Sequence, residues 1–249
     1  MFADDALERW RMPGREIALS PGIVHVWRIS TARSANSLEE AFELLDDAER
    51  ERALRLADAG ARLRFALTRS ALRATLGLYL DVRPERLELA FSPHGKPEAR
   101  VRGERAPIAF SVSHAHDLSL IAFALECRIG VDVERIRPHA RADRIASRLF
   151  APTVQATLAA LSAEQRFTAF LRAWTQREAY VKAVDGQVFQ TVDPLALTWP
   201  PPDDIEVQQP PNDESAEWSI RTFAPSHGYI ATLVAEGRLR GIDWWSNER

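Results

Sequence analysis

Helical spacing and short apolar runs alternate twice along this chain, and that order constrains the fold more than any single residue does. In the first pass Ile23–Ile29 reads as a strand and Leu38–Leu56 as a charged helix, opened at Ser37 by a capping box with Glu40. A second helix, about Ala61–Leu78, repeats apolar residues at Leu63, Leu67, Ala71, Ala74 and Leu78. Leu87–Phe91 and Ile108–Val112 read as strands, and Leu118–Leu125 with Ile129–Val133 as a hairpin turning at Glu126–Arg128. In the second pass Arg141–Phe150 and Thr153–Leu161 read as helices. Ser162 with Gln165 opens a longer one to about Lys182, ended by Gly186 and Pro194. Pro200–Ser215 is proline-rich and acidic and reads as a surface loop, before strands at Trp218–Phe223, Tyr229–Ala235 and Gly241–Trp245. Helices followed by antiparallel strands, twice over, indicate an α+β fold of two halves, 1–126 and 127–249.

Composition removes several classes. The net charge of −3 lacks the basic excess of a nucleic-acid binder. The single cysteine, Cys127, excludes an internal disulfide and a cysteine-rich zinc site. The acidic start MFADDALERW has no basic n-region with an apolar core, and the longest apolar run, Leu118–Leu125, is strand-sized. The expectation is a cytoplasmic protein with no membrane or nucleic-acid partner. Of its 32 lysines and arginines only Lys96 and Lys182 are lysine; the bias fits a GC-rich genome that favours arginine codons, and the two exceptions fit sites where a compact ammonium is wanted and a planar fork does not serve.

Four segments carry possible chemistry. In Ile129-Gly-Val-Asp-Val-Glu-Arg135 strand alternation puts Asp132 and Glu134 on one face, about 7 Å apart at Cα. Two acids on an otherwise apolar strand suit a hard cation such as Mg²⁺, and also suit a half-exposed strand with a solvated face. In Trp174-Thr-Gln-Arg-Glu-Ala-Tyr-Val-Lys182, Glu178 and Lys182 share a helix face one turn beyond Trp174. A surface ion pair and a site on a buried helix both fit this spacing. Ser92-Pro-His-Gly-Lys-Pro-Glu98 is a turn carrying Lys96, and Phe110-Ser-Val-Ser-His-Ala115 ends a strand in Ser113 and His114. A hydroxyl, an imidazole and a backbone N–H at a strand end can hold an anion, or simply be structural. No G-x-S-x-G elbow accompanies them, which argues against a hydrolase triad.

Taken in order, G-K-P, F-S-x-S-H, I-G-V-D-x-E and W-x-x-x-E-x-x-x-K resemble the 4'-phosphopantetheinyl transferase family, in its longer, monomeric Sfp-type branch. The resemblance covers about Arg50 to Lys182. It implies a pseudo-dimer with the active site in the cleft between similar halves. It also implies a reaction: a serine of an apo acyl or peptidyl carrier protein takes the phosphopantetheine arm of coenzyme A, releasing adenosine 3',5'-bisphosphate. On this reading Asp132, Glu134 and Glu178 hold Mg²⁺, with Mn²⁺ as a substitute. Glu178 accepts the serine proton, and Lys182 stabilises the leaving phosphate. Lys96, Ser113 and His114 bind the 3'-phosphate and pyrophosphate regions, with Arg52 and Arg73 at positions where the family places basic residues. Arg137, Arg141, Arg144, Arg148 and Leu149 are placed to meet an acidic carrier helix. The competing reading is a non-catalytic CoA- or nucleotide-binding regulator of carrier-protein assemblies, and the complete acid set argues against it.

Overall fold

The computed structural model describes residues 10–14, 17–30, 37–137, 142–187, 195–209 and 216–246. The first part of the chain forms β1 (Ile23–Ser30), α1 (Ser37–Glu43), α2 (Asp47–Arg55), α3 (Ala59–Leu80), β2 (Leu87–Phe91), β3 (Pro97–Val101), β4 (Glu104–Arg105), β5 (Ile108–Ala115) and β6 (Leu118–Leu125). Beyond it lie β7 (Ile129–Arg135), α4 (Ala142–Leu149), α5 (Pro152–Ala159), α6 (Ala163–Ala183), β8 (Glu206–Gln208), β9 (Trp218–Phe223), β10 (Tyr229–Glu236) and β11 (Gly241–Ser246). The fold is α+β, as the alternation indicates. Two four-stranded sheets run in the orders β11-β1-β6-β5 and β7-β10-β9-β8, and a small sheet runs β2-β3-β4. Among the described residues no helix is long and apolar enough to cross a membrane.

A core shared by the two large sheets contains Val24, Val26, Leu120 and Ala122 from the first, with Val131, Val133, Ala231 and Leu233 from the second. Leu72 and Leu76 of α3 pack with Trp27, Ile121 and Phe123 of the first sheet, whereas Ala179 and Ala183 of α6 pack with Ile220 and Val234 of the second. Burying such apolar faces, at about 25 cal/mol per Å², is what holds the layers together.

Four expectations are corrected. The helix expected over Leu38–Leu56 is two helices. Asp46 accepts from the Glu49 N–H at 2.8 Å while Glu49 Oε2 accepts from the Asp46 N–H at 3.2 Å, so a capping box restarts the chain inside the charged run. In α3 the buried face runs through Ala66, Ser70, Leu72, Arg73, Leu76 and Gly77, and Leu78 is 47% exposed. A satisfied arginine within that face hides it from a purely apolar count. The hairpin at Glu126–Arg128 does not form: β6 is already paired by β1 on one edge and β5 on the other, so β7 leaves the first sheet and pairs with β10. Glu126, at φ 50°, makes that exit. Finally, β11 pairs in parallel with β1, so the chain's last strand lies in the first sheet.

The sheet β2-β3-β4 had only its first strand legible in sequence, because β3 and β4 are short and mix charged with small residues. Within the expected loop Pro200–Ser215, Glu206–Gln208 is an edge strand on β9, and 210–215 lie outside the described residues. So do Pro194 and the Ser37 side chain of the expected capping box. At Ser162 the cap is present: its hydroxyl accepts from the Gln165 N–H at 3.4 Å.

Candidate active site

The edge of the second sheet meets the edge of the first where β7 runs beside β5. There the N–H groups of Val131 and Val133 find side chains instead of a backbone ladder: they donate to Ser111 Oγ at 3.1 Å and Ser113 Oγ at 3.3 Å. The F-S-x-S spacing, two residues apart on one strand face, supplies both hydroxyls. Sequence reading picked out Ser113 and missed Ser111, although the same i, i+2 spacing identifies it.

Alternation on β7 then sends Val131 and Val133 into the shared core and Gly130, Asp132 and Glu134 towards α6. Asp132 is buried and Glu134 half-buried, so this is not a solvated strand face. Helix α6 comes close because residue 130 is glycine: a Cβ there would stand 1.8 Å from the Ala179 carbonyl oxygen. Trp174, Glu178 and Lys182, one turn apart, form a half-buried stripe, and of the residues between them all but the half-buried Tyr180 are buried. Lys182 Nζ donates to Asp132 Oδ1 at 2.7 Å, to Ser113 Oγ at 3.1 Å and to the Val131 carbonyl at 3.2 Å. Ser113 Oγ itself donates to Asp132 Oδ1 at 2.7 Å.

The electrostatics follow from crowding acids in a partly dry place. Burial, followed by the charges of Asp132 and Glu134 against the opposing Lys182, pushes Glu178 up to about 7. Glu134 is raised by burial and by Asp132, partly offset by a hydrogen bond from the Trp174 side chain. Asp132 Oδ2 is buried with no hydrogen-bond partner. A carboxylate oxygen left that way carries a desolvation cost that a bound cation would remove. Among the described residues no group of three or more His, Cys, Asp or Glu side chains is closed around a metal position.

Other sequence candidates are placed differently from one another. His114, exposed on one side at the end of β5, is lowered by partial burial and by Arg64 and Lys182 nearby. Arg52 is exposed, its guanidinium 5.3 Å from the Phe65 ring centroid. Arg73 is corrected. It is 1% exposed, with Nε on Glu49 Oε2 at 2.6 Å, Nη1 on the Pro84 and Leu87 carbonyls, and Nη2 on Asp46. It ties α2 to α3 and the start of β2 instead of facing a nucleotide. Lys96 Nζ donates to three carbonyls, Ile129 at 3.2 Å, Lys182 at 2.7 Å and Ala183 at 3.1 Å. Ser113 is committed to Asp132 and the strand edge. Arg141 lies outside the described residues.

A cleft of about 280 Å³ opens beside the acids, lined by His94, Gly95, Val112, Glu178, Val181 and Lys182 among others. An adjoining cavity of about 570 Å³ shares Lys96, Pro97, Phe110 and Asp185 with it. Of the three acids only Glu178 lines the smaller space, and none lines the larger.

Residues 128–234 match the family model of the 4'-phosphopantetheinyl transferase superfamily. That stretch contains Asp132, Glu134, Glu178 and Lys182. The chain is 29% identical over 228 residues to the 4'-phosphopantetheinyl transferase HetI of Nostoc sp., covering 92% of this chain and 94% of that one. It is 36% identical over 140 residues to a putative 4'-phosphopantetheinyl transferase of Synechocystis sp., 56% of each chain. Against the 4'-phosphopantetheinyl transferase AcpT of Salmonella typhimurium it is 33% identical over 105 residues, 42% of this chain and 53% of that one. The alignments thus span nearly all of the first relative and about half of the other two.

Proposed function

We propose that the chain, which is similar to the 4'-phosphopantetheinyl transferase superfamily, moves the phosphopantetheine arm of coenzyme A onto a carrier-protein serine at the Asp132–Glu134–Glu178 set, releasing adenosine 3',5'-bisphosphate. The observation that carries this placement is the buried, unpartnered Asp132 Oδ2 beside two carboxyl groups held above their ordinary range. Asp132, Glu134 and Glu178 are the residues that would hold Mg²⁺, or Mn²⁺ in its place. Such an ion, when bound, would supply positive charge that offsets the charge developing on the leaving group.

The chain's own residues do the rest. Glu178, poised near neutrality, takes the proton from the attacking serine directly or through a water. Lys182 brings its positive charge to the leaving phosphate, and donates to it by giving up one of its three bonds, to Ser113, the Val131 carbonyl or Asp132. Arg52 supplies positive charge for the nucleotide phosphates, and His114, whose charged form burial and the neighbouring Arg64 and Lys182 disfavour, offers them a ring N–H. The two large sheets, each covered by one long helix of 22 or 21 residues, α3 and α6, support the pseudo-dimeric arrangement with the reaction between the halves. A single chain then suffices as a monomer. The Sfp-type branch and a cytoplasmic setting belong to the same reading.

Incubating the protein with CoA, Mg²⁺ and an apo carrier tests the function by the carrier's mass. A gain of one phosphopantetheine group is expected. CoA binding without any gain in mass would favour a non-catalytic regulator and overturn the assignment.

Two kinetic results follow. Three acceptors converge on Lys182 Nζ, which a tetrahedral ammonium meets and a flat guanidinium does not. Lys182→Arg should therefore lower kcat about 10-fold, roughly 1.4 kcal/mol, with less effect on CoA affinity. An unchanged kcat would reduce this lysine to a plain positive charge. On α4, Ala146 is buried while Arg144 and Arg148 are exposed and Leu149 is half-buried; Arg137 is exposed just before it. This is a basic rim for an acidic carrier helix. Reversing Arg144 and Arg148 to glutamate together should raise KM for the carrier about 5-fold and leave KM for CoA unchanged. The opposite pattern would move these arginines to the nucleotide side.

A further inference from the structure

We propose that Lys96 is a positioning residue: its ammonium fixes the C-terminal end of α6 against β7 and so sets where Glu178 and Lys182 stand relative to Asp132. The proposal rests on the transfer reading of that cluster. A helix leaves its last four carbonyls without intrahelical partners. In α6 the Tyr180 carbonyl is taken by the Val184 N–H at 3.0 Å, and that of Val181 by the Gly186 N–H at 2.9 Å. The remaining two, Lys182 and Ala183, both go to Lys96 Nζ. The third ammonium proton goes to the carbonyl of Ile129, the first residue of the strand that carries Asp132 and Glu134. One side chain thus holds together the end of the catalytic helix and the start of the acidic strand. Its charge also complements the negative end of the helix dipole.

The turn that presents Lys96 is itself pinned. Ser92 Oγ accepts from the His94 and Lys96 N–H groups at 3.2 and 3.0 Å and donates to Asp185 Oδ1 at 2.9 Å, just past the end of α6. Gly95, at φ +91°, closes the turn. His94 Nδ1 stands 3.8 Å from Asp185 Oδ2. The β2–β3 turn therefore grips the last turn of a helix some 90 residues further along, through both its lysine and its serine. Lys182 is held at both ends: its carbonyl by Lys96, its ammonium on Asp132. With all three Lys96 protons given to protein carbonyls, a phosphate would have to displace the helix end to reach them. The same count explains why residue 96 is one of the two lysines in a chain that uses arginine at its other basic positions.

The test is Lys96→Met in the full chain, with Lys96→Arg as the conservative variant. In Lys96→Met, kcat for carrier modification should fall at least about 10-fold, since misplacement near 1 Å can cost more than that. The calorimetric Kd for CoA should stay within about 2-fold, and the rate ratio of CoA to 3'-dephospho-CoA should stay as in the wild type. Lys96→Arg should recover part of kcat. Amide exchange at Val184 and Gly186 should quicken at least about 10-fold in Lys96→Met, as the helix end frays. A weakened Kd for CoA with an unmoved Kd for 3'-dephospho-CoA would make Lys96 a phosphate ligand and overturn the proposal. An unchanged kcat would overturn it too. Should Lys96→Met fail to fold, Ser92→Ala loosens the same grip: kcat falling about 3-fold at constant CoA Kd supports the proposal, and constant kcat overturns it. If the wild type transfers nothing, the transfer reading is what fails, and the exchange comparison alone decides whether Lys96 holds the helix end.

Discussion

Gly130→Ala should destabilise the protein by about 3 kcal/mol or more and remove its transferase activity. The added Cβ would meet the Ala179 carbonyl oxygen at 1.8 Å, the Ala179 carbonyl carbon at 2.8 Å and the Ala183 nitrogen at 2.8 Å. All three are backbone atoms, so no rotamer change relieves the clash. Either α6 withdraws from β7 or the strand bends. Withdrawal carries Glu178 and Lys182 away from Asp132, which couples the stability loss to the loss of catalysis. Urea unfolding followed by a structural probe, with the carrier assay on the same samples, reads both. A loss under about 1 kcal/mol would mean that the helix and strand slide past each other cheaply, and would remove the packing argument for this glycine.

Asp132→Asn should cut the transfer rate at saturating CoA by at least about 100-fold, roughly 2.7 kcal/mol, while leaving the fold intact. The amide oxygen can still accept from Lys182 and Ser113 at the Oδ1 position. What disappears is the negative charge and the free acceptor at Oδ2, replaced by an N–H₂ donor facing the place a cation would take. Stability should move by no more than about 1 kcal/mol, because the Lys182 side chain is 31% exposed and solvent screens its pairing. Near-normal turnover at saturating Mg²⁺ would sink the role assigned to Asp132.

Much of the site is legible in the sequence alone. The carboxylates of β7 could be placed on one face because strands alternate, and Glu178 with Lys182 on one face because helices turn every 3.6 residues. Both are local periodicities, so the sequence states them directly. The α+β class followed from the same signals. The excess of arginine over lysine likewise drew attention to Lys96 and Lys182, each of which meets three acceptors in the fold.

What each lysine meets was decided by tertiary structure. The acceptors of Lys96 lie 33 to 87 residues away, and no local pattern encodes which carbonyls a distant helix leaves unpaired. Arg73 shows the same limit from the other side. Its spacing on α3 is compatible with a phosphate-facing residue, yet Asp46 and Glu49 come from a neighbouring helix whose capping box the charge-rich sequence concealed. Strand pairing is also non-local. Two apolar runs separated by three residues look like a hairpin, but whether they pair depends on whether the first still has an open edge. Here β1 and β5 had filled both edges of β6, so β7 joined β10 and brought Asp132 to α6. Periodicity sets which face a side chain takes, and competition for edges, carbonyls and buried charge sets what that face meets.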